Sequence, residues 1–326
     1  MSHFFCANLS RESGEDIIGS APGHSIYIAI ECPQPWSAKA LESKGIPDNL
    51  RALAEKVKQS KQSVRFLLIN SSRTEPSSGT KVILCRKKEG LADGYTKREF
   101  EANEIEKVAP ILEEYLAGEE SGADWVESFS KDILVCTHGS HDKCCAKYGY
   151  PFFREARAIA SEMDLRNVRV WEASHIGGHR FAPTFLSLPD GRYYGAVDTE
   201  SFKSILLRKG DIHCFNRVYR GWGLLPMPIQ VLERELILQK GWEWFNYKVY
   251  CNVLAETYNR TLTKVELFCK PPNETPLVYR ANIVLDESRT LHFKGSCNSD
   301  KESTYFKFAV ENLHLVEMSP VLDAVG

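Results

Sequence analysis

The chain has 326 residues, 43% hydrophobic and 26% charged, with a formal net charge of −2. That length allows two or three domains with cores of their own, and the near-neutral balance argues against a dedicated nucleic-acid or anionic-membrane binder. No apolar run approaches the roughly 18 residues a membrane span needs, and the N-terminus lacks the basic-then-apolar order of a secretion signal, so a cytoplasmic protein with reduced thiols is expected.

Residues 1–24 read as a short helical or irregular lead-in. A strand at Ser25–Glu31 leads into the loop C-P-Q-P-W, and a helical region from Ser37 to Lys61 is interrupted by Pro47, with Leu50, Leu53, Ala54 and Val57 on its apolar face. Strands at Ser63–Asn70 and Lys81–Arg86 flank a Ser/Gly/Pro loop, and a helix follows over Glu104–Ala117. A second round begins with a strand at Asp132–Val135, a Cys/His loop and a helix over Pro151–Met163. It continues with a strand at Val168–Glu172, the loop H-I-G-G-H and a hairpin of Phe185–Leu188 and Tyr193–Val197 around P-D-G. A helix N-capped by Thr199 runs to about Arg208.

The two rounds keep nearly the same strand spacing, and both first strands lead into a cysteine, Cys32 and Cys136. The pattern reads as an α/β fold with two tandem thioredoxin-like units, the first lacking the histidine loop. Units at 1–125 and 126–225 are expected, then a C-terminal α+β segment at 226–326. In that last part R-G-W-G-L-L-P-M-P reads as a connector and Ile229–Lys240 as a helix. Strands are expected at Trp244–Val253, Leu262–Cys269, Val278–Leu285, Thr290–Gly295 and Tyr305–Leu315. Their alternation suits an antiparallel sheet with one wet face.

Chemistry concentrates between Val135 and Phe181. V-C-T-H-G-S-H-D-K-C-C-A holds Cys136, Cys144, Cys145, His138 and His141, and S-H-I-G-G-H-R-F holds His175 and His179. Cys136 can fold back to either Cys144 or Cys145, and the pair Gly177–Gly178 permits a tight turn that lets both flanking imidazoles converge. Together these loops point to a Cys2His2 metal site. The vicinal cysteines taken alone are equally compatible with small buried apolar groups. Cys6, Cys32, Cys85, Cys214, Cys251, Cys269 and Cys297 have no ligand-like neighbour in sequence and read as structural thiols.

The cysteine spacing is longer than zinc fingers use. Cys136-Thr137-His138 mimics half of a Rieske box, but no C-x-x-C-x-H half follows, so His138 reads as a neighbour of the site and not a ligand. V-C-T-H-G-x-x-D-x-C-C-A with S-H-I-G-G-H-R-F-A and L-P-D-G-R-Y-Y-G resembles the sucrase/ferredoxin-like family of thioredoxin-like ferredoxins. L-S-R-E-S-G-E-D-I-I-G-S-A-P and E-C-P-Q-P-W are similar to it as well, so that the resemblance covers about residues 5–225. It implies a [2Fe–2S] cluster on Cys136, Cys145, His175 and His179, leaving Cys144 as the ambiguous neighbour.

Such a protein would be a one-electron carrier or redox sensor rather than an enzyme with its own substrate, and would work with an unidentified redox partner protein. Neutral imidazoles would raise the cluster's potential and couple reduction to proton uptake. Arg180 and Lys143 would add positive charge beside it, with Gly177 and Gly178 shaping the loop. Three other readings stay open: a metal-free thiol oxidoreductase, which lacks the favoured C-x-x-C, a zinc-stabilised binding module, and a hydrolase, for which neither a G-x-S-x-G nor a triad is found.

Overall fold

A computed structural model of the chain describes residues 4–71, 79–119 and 123–316. In chain order it contains α1 (Cys6–Glu12), β1 (Ile26–Glu31), α2 (Asp48–Gln59), β2 (Val64–Asn70), β3 (Thr80–Lys87), β4 (Tyr95–Ala102) and α3 (Val108–Ala117). There follow β5 (Val126–Glu127), β6 (Lys131–Cys136), α4 (Tyr150–Glu162), β7 (Val168–Ala173), β8 (Thr184–Leu188), β9 (Arg192–Gly195), α5 (Thr199–Leu207), α6 (Phe215–Val218) and β10 (Tyr219–Trp222). The last part is α7 (Met227–Lys240), β11 (Lys248–Glu256), β12 (Leu262–Lys270), β13 (Leu277–Phe293) and β14 (Ser303–Leu315).

The described strands form a ten-stranded mixed sheet, ordered β10-β9-β8-β6-β7-β2-β1-β3-β4-β5, and a four-stranded sheet ordered β11-β12-β13-β14. The large sheet is two halves of one pattern. β1 lies parallel to β2 and antiparallel to β3, which pairs with β4. β6 repeats this with β7, β8 and β9. Strand pairing between the halves is short and antiparallel, with Ile69 opposite Ala173 and Asn70 opposite Glu172. Because the seam uses the last residues of β2 and β7, the C-terminal ends of all four parallel strands converge there. Loops leaving such ends are where open α/β sheets place ligands.

The apolar runs of β1, β2, β6 and β8 are buried because both faces are covered. On one face of the first half, α2 and α3 set Leu50, Leu53, Val57, Val108 and Leu112 against Ile28, Ile30, Leu68, Val82 and Leu84. A second core runs from Tyr27, Leu67 and Ile83 through Ile133, Val135 and Phe153 to α7 and the C-terminal sheet. Sandwiched there, α7 buries even Glu233, which accepts from Arg192 (2.6 Å), Tyr219 (2.7 Å) and Trp244 (3.1 Å). No helix among the described residues is long and apolar enough to cross a membrane.

Several expectations are corrected. The sequence reading misses β4 because Lys97 and Glu99 point inward, where charge is normally absent. The large sheet curls so that β4 reaches β6 and β7. Lys97 Nζ lies 2.6 Å from Asp132 Oδ2, and Arg169 binds both Asp132 (2.7 Å) and Glu99 (2.5 Å). The expected connector contains β10, the tenth strand, paired with β9. Two expected strands at 278–295 are one long β13, because Asp286 accepts from Ser288 Oγ and Arg289 N and turns D-E-S into a bulge within the strand. The N-cap of α5 is Asp198, in a capping box with Ser201, and not Thr199. The Ser/Gly/Pro loop after Asn70 lies largely outside the described residues.

Candidate metal centre

Two strand ends at the seam deliver the site: β6 ends on Cys136, and β7 ends on Ala173, from which Ser174 leads to His175. After Cys136 the chain loops out and returns as a π-helical turn, Cys145–Gly149, which leads into α4. Gly149 is pressed on the Cys136 carbonyl: a Cβ there would lie 2.0 Å from the oxygen. That approach sets Cys145 beside Cys136. His175 Nδ1 is 3.8 Å from each Sγ, and the ligand atoms of all three residues lie within 4.8 Å of one another. Both thiols are buried, whereas His175 borders a groove of about 570 Å³ lined also by Leu41, Arg65, Phe66 and His141.

A hydrogen bond from Cys145, reinforced by His175, holds the Cys136 thiol well below its ordinary pKa despite burial. The same bond, with burial, raises Cys145. The two thiols thus share a hydrogen bond, and the pair is a donor set able to take a metal on loss of its thiol protons.

The other histidines divide by what holds them. His138 is fully used by backbone: its Nδ1 accepts from His175 N (3.1 Å), which makes Nε2 the donor to Ser37 O (2.8 Å). It places the His175 backbone and has no nitrogen left for a metal. His141 stacks on His175 with ring centroids 3.8 Å apart. His179 stands outside the tight Cys136–Cys145–His175 group, with Nδ1 3.1 Å from Asp142 Oδ2 and its ring centroid 5.5 Å from that of His175. Cys144 points away from Cys145, and its Sγ lies 3.5 Å from that of Cys6 and 3.3 Å from that of Cys297.

Gly177 and Gly178 take φ of 90° and 75°, the left-handed turn expected between the histidines. A Cβ on Gly178 would lie 2.6 Å from Arg220 Cζ. Arg220 is only 2% exposed, and its hydrogen bonds go to neutral oxygens: Gly177 O (2.9 Å), Ser20 O (2.7 Å) and Ser20 Oγ (3.2 Å). Burial draws its pKa down to about 10, so it remains a cation beneath the histidine loop at neutral pH. Arg180, expected to supply that charge, instead pairs with Glu15 at 3.1 Å.

The described residues of the first half contribute no ligand to this group but clasp it. Gln34 donates to Thr137 Oγ1 (3.1 Å) and Glu172 (2.6 Å), Ser140 donates to Trp36 O (2.6 Å), and Trp36 meets His138 edge-on. Cys32, the counterpart of Cys136, is buried alone and raised to about 11 by burial.

Sequence reasoning missed Asp142, Arg220 and the grouping of Cys6 and Cys297. Asp142 stood inside the quoted H-D-K-C and was legible as a possible ligand; the other three carry no local signal. The family model described as sucrase/ferredoxin-like matches residues 17–221, more than half of the chain. No curated protein and no solved structure matches.

Proposed function

We propose that this chain, which belongs to the sucrase/ferredoxin-like family, holds a [2Fe–2S] cluster and works as a one-electron carrier or redox sensor in the cytoplasm. The observation that carries the reading is the convergence of Cys136, Cys145 and His175 at the seam of the sheet. The donor set suits the group: two thiols and an imidazole, with a second imidazole one short turn away. Cys136 and Cys145 would hold one iron, and His175 and His179 the other. The bond of His179 Nδ1 to Asp142 leaves Nε2 for iron, the carboxylate–imidazole arrangement that orients metal-bound histidines.

Bound there, such a cluster supplies one-electron transfer at a potential raised by its neutral imidazoles. The chain's own residues do the rest. Arg220 sets a fixed positive charge against the negative charge of the thiolates, Asp142 holds the proton on His179 Nδ1, and the buried thiol side excludes water. His175 and His141 give the open edge, where an unidentified redox partner protein would approach. The finer fold reading is that residues 1–125 and 126–225 are thioredoxin-like units. Its support is the strand order second-first-third-fourth in both halves of the sheet.

Protein purified without oxygen should be reddish-brown, with about two irons and two sulfides per chain. Cys136→Ser and Cys145→Ser should each lose the colour and Cys144→Ser should keep it. Colourless, sulfide-free wild-type protein would sink the reading.

A further inference from the structure

Adjacent cysteines serve two different places in this molecule. Cys145 turns to Cys136, while Cys144 turns to the opposite side, where α1 and the segment between β13 and β14 meet the Cys/His loop. There the three sulfurs of Cys6, Cys144 and Cys297 form a nearly equilateral triangle with edges of 3.5, 3.3 and 3.6 Å. Asp142 closes the group: its Oδ1 is 4.0 Å from Cys6 Sγ, and the ligand atoms of all four residues lie within 4.8 Å of one another.

We propose that Cys6, Cys144, Cys297 and Asp142 form a second metal centre, a structural site for one zinc ion. Three mutually close thiols cannot all pair as disulfides, but they suit one face of a tetrahedron. Zinc–sulfur bonds of about 2.3 Å put thiolate sulfurs roughly 3.8 Å apart, slightly wider than this triangle. The sulfurs of an iron–sulfur cluster's cysteines on different irons would be much further apart. Binding is balanced by release of the thiol protons to solvent, with no change of oxidation state.

The surroundings are built for negative sulfur. Ala7 N donates to Cys144 Sγ (3.4 Å) and Cys6 N donates to Cys297 Sγ (3.5 Å). Asp142 is fixed as a carboxylate by Cys144 N (2.9 Å), Cys297 N (3.1 Å) and Ser296 Oγ (3.3 Å). Its remaining partner is His179 Nδ1, so Asp142 stands between the two centres. Cys6 and Cys144 are fully buried and Cys297 partly so.

Cys6 and Cys297 both lie outside the matched span 17–221, and the centre ties α1 and the segment between β13 and β14 to the Cys/His loop. Its role is positional: it pins α1 and the 294–302 segment to the loop that carries Cys145 and holds His179 through Asp142.

The test is metal analysis of the full chain, with zinc scored separately from iron and sulfide so that it stands or falls apart from the cluster. Wild-type protein should carry about one zinc per chain. Cys6→Ser and Cys297→Ser should lose it while keeping iron and visible spectrum, and Cys297→His, which restores a zinc ligand, should regain it. In the unmodified chain, a zinc chelator should speed amide exchange in residues 6–12 and 294–302 without bleaching the spectrum. Zinc retained in both serine variants would overturn the proposal. So would wild-type protein that takes up no added Zn²⁺, or a disulfide mapped between any two of the three cysteines.

Discussion

The two halves of the large sheet have the same strand order, and in each the first strand leads to a cysteine, Cys136 closing β6 and Cys32 following β1, yet among the described residues only one half gathers metal-type ligands. Cys32 sits alone, with burial keeping its thiol protonated to about 11. Cys136 has a second thiol brought back to it by the π-helical turn and an imidazole delivered by β7, and its pKa falls instead. The fold supplies a strand end to both; what differs is whether the following loop returns a second donor. The first half uses its loop differently, setting Gln34, Trp36 and Ser37 over its counterpart. The same strand pattern thus carries the candidate ligands in one half and a clasp over them in the other.

The widest separation between the halves is expected from their cysteines. Cys136→Ser should abolish bound iron, whereas Cys32→Ser should leave iron and sulfide per chain unchanged; equal loss in both would remove the distinction. Next comes the ion network that ties the halves together away from the seam. Lys97 and Asp132 are almost completely buried, and removing one partner of such a pair typically costs about 3–5 kcal/mol. Lys97→Met should therefore lower stability in urea unfolding by about that amount, and a change under about 1 kcal/mol would mean that Arg169 and Trp171 suffice for Asp132.

A glycine beside each cysteine sharpens the comparison further. Gly149→Ala drives a methyl into the Cys136 carbonyl, and overpacking of this kind costs about 1–3 kcal/mol. The variant should unfold earlier in denaturant and retain less iron. Gly45→Ala, at an exposed position where the new Cβ would lie 3.3 Å from the Cys32 sulfur and touch no backbone carbonyl, should stay within about 0.5 kcal/mol of wild type.

The smallest effect concerns acid. Burial alone would raise Glu99, but hydrogen bonds from Arg169 and Ser128 outweigh it and hold it at about 2. A carboxylate depressed in the fold contributes stability above its unfolded pKa, near 4.3, that is lost as pH falls toward the folded value. Denaturation midpoints should drop between about pH 4.5 and 2, and Glu99→Gln should flatten that drop.

The sequence was sufficient for whatever rests on local pattern. Apolar runs marked β1, β2, β6 and β8, helical spacing marked α2, α3 and α4, and two loops rich in cysteine and histidine marked where chemistry concentrates. The Gly-Gly pair predicted the left-handed turn between His175 and His179, because only glycine adopts that backbone without strain. Tertiary structure alone decided the rest. β4 was hidden because its inward Lys97 and Glu99 are neutralised by Asp132 and Arg169 from the other half, partners that no local window contains. His138 was read from the sequence as a neighbour of the site and not a ligand, but only the fold shows what it does there, with both nitrogens on backbone groups. Arg220, far along the chain, lies beneath the histidine loop where Arg180 was expected to act. The choice between Cys144 and Cys145 could not be read from spacing, since neighbouring residues on an irregular turn point to opposite sides. Only the packing of α1 and the β13–β14 segment, from the two ends of the chain, shows that one sulfur faces Cys136 and the other faces Cys6 and Cys297.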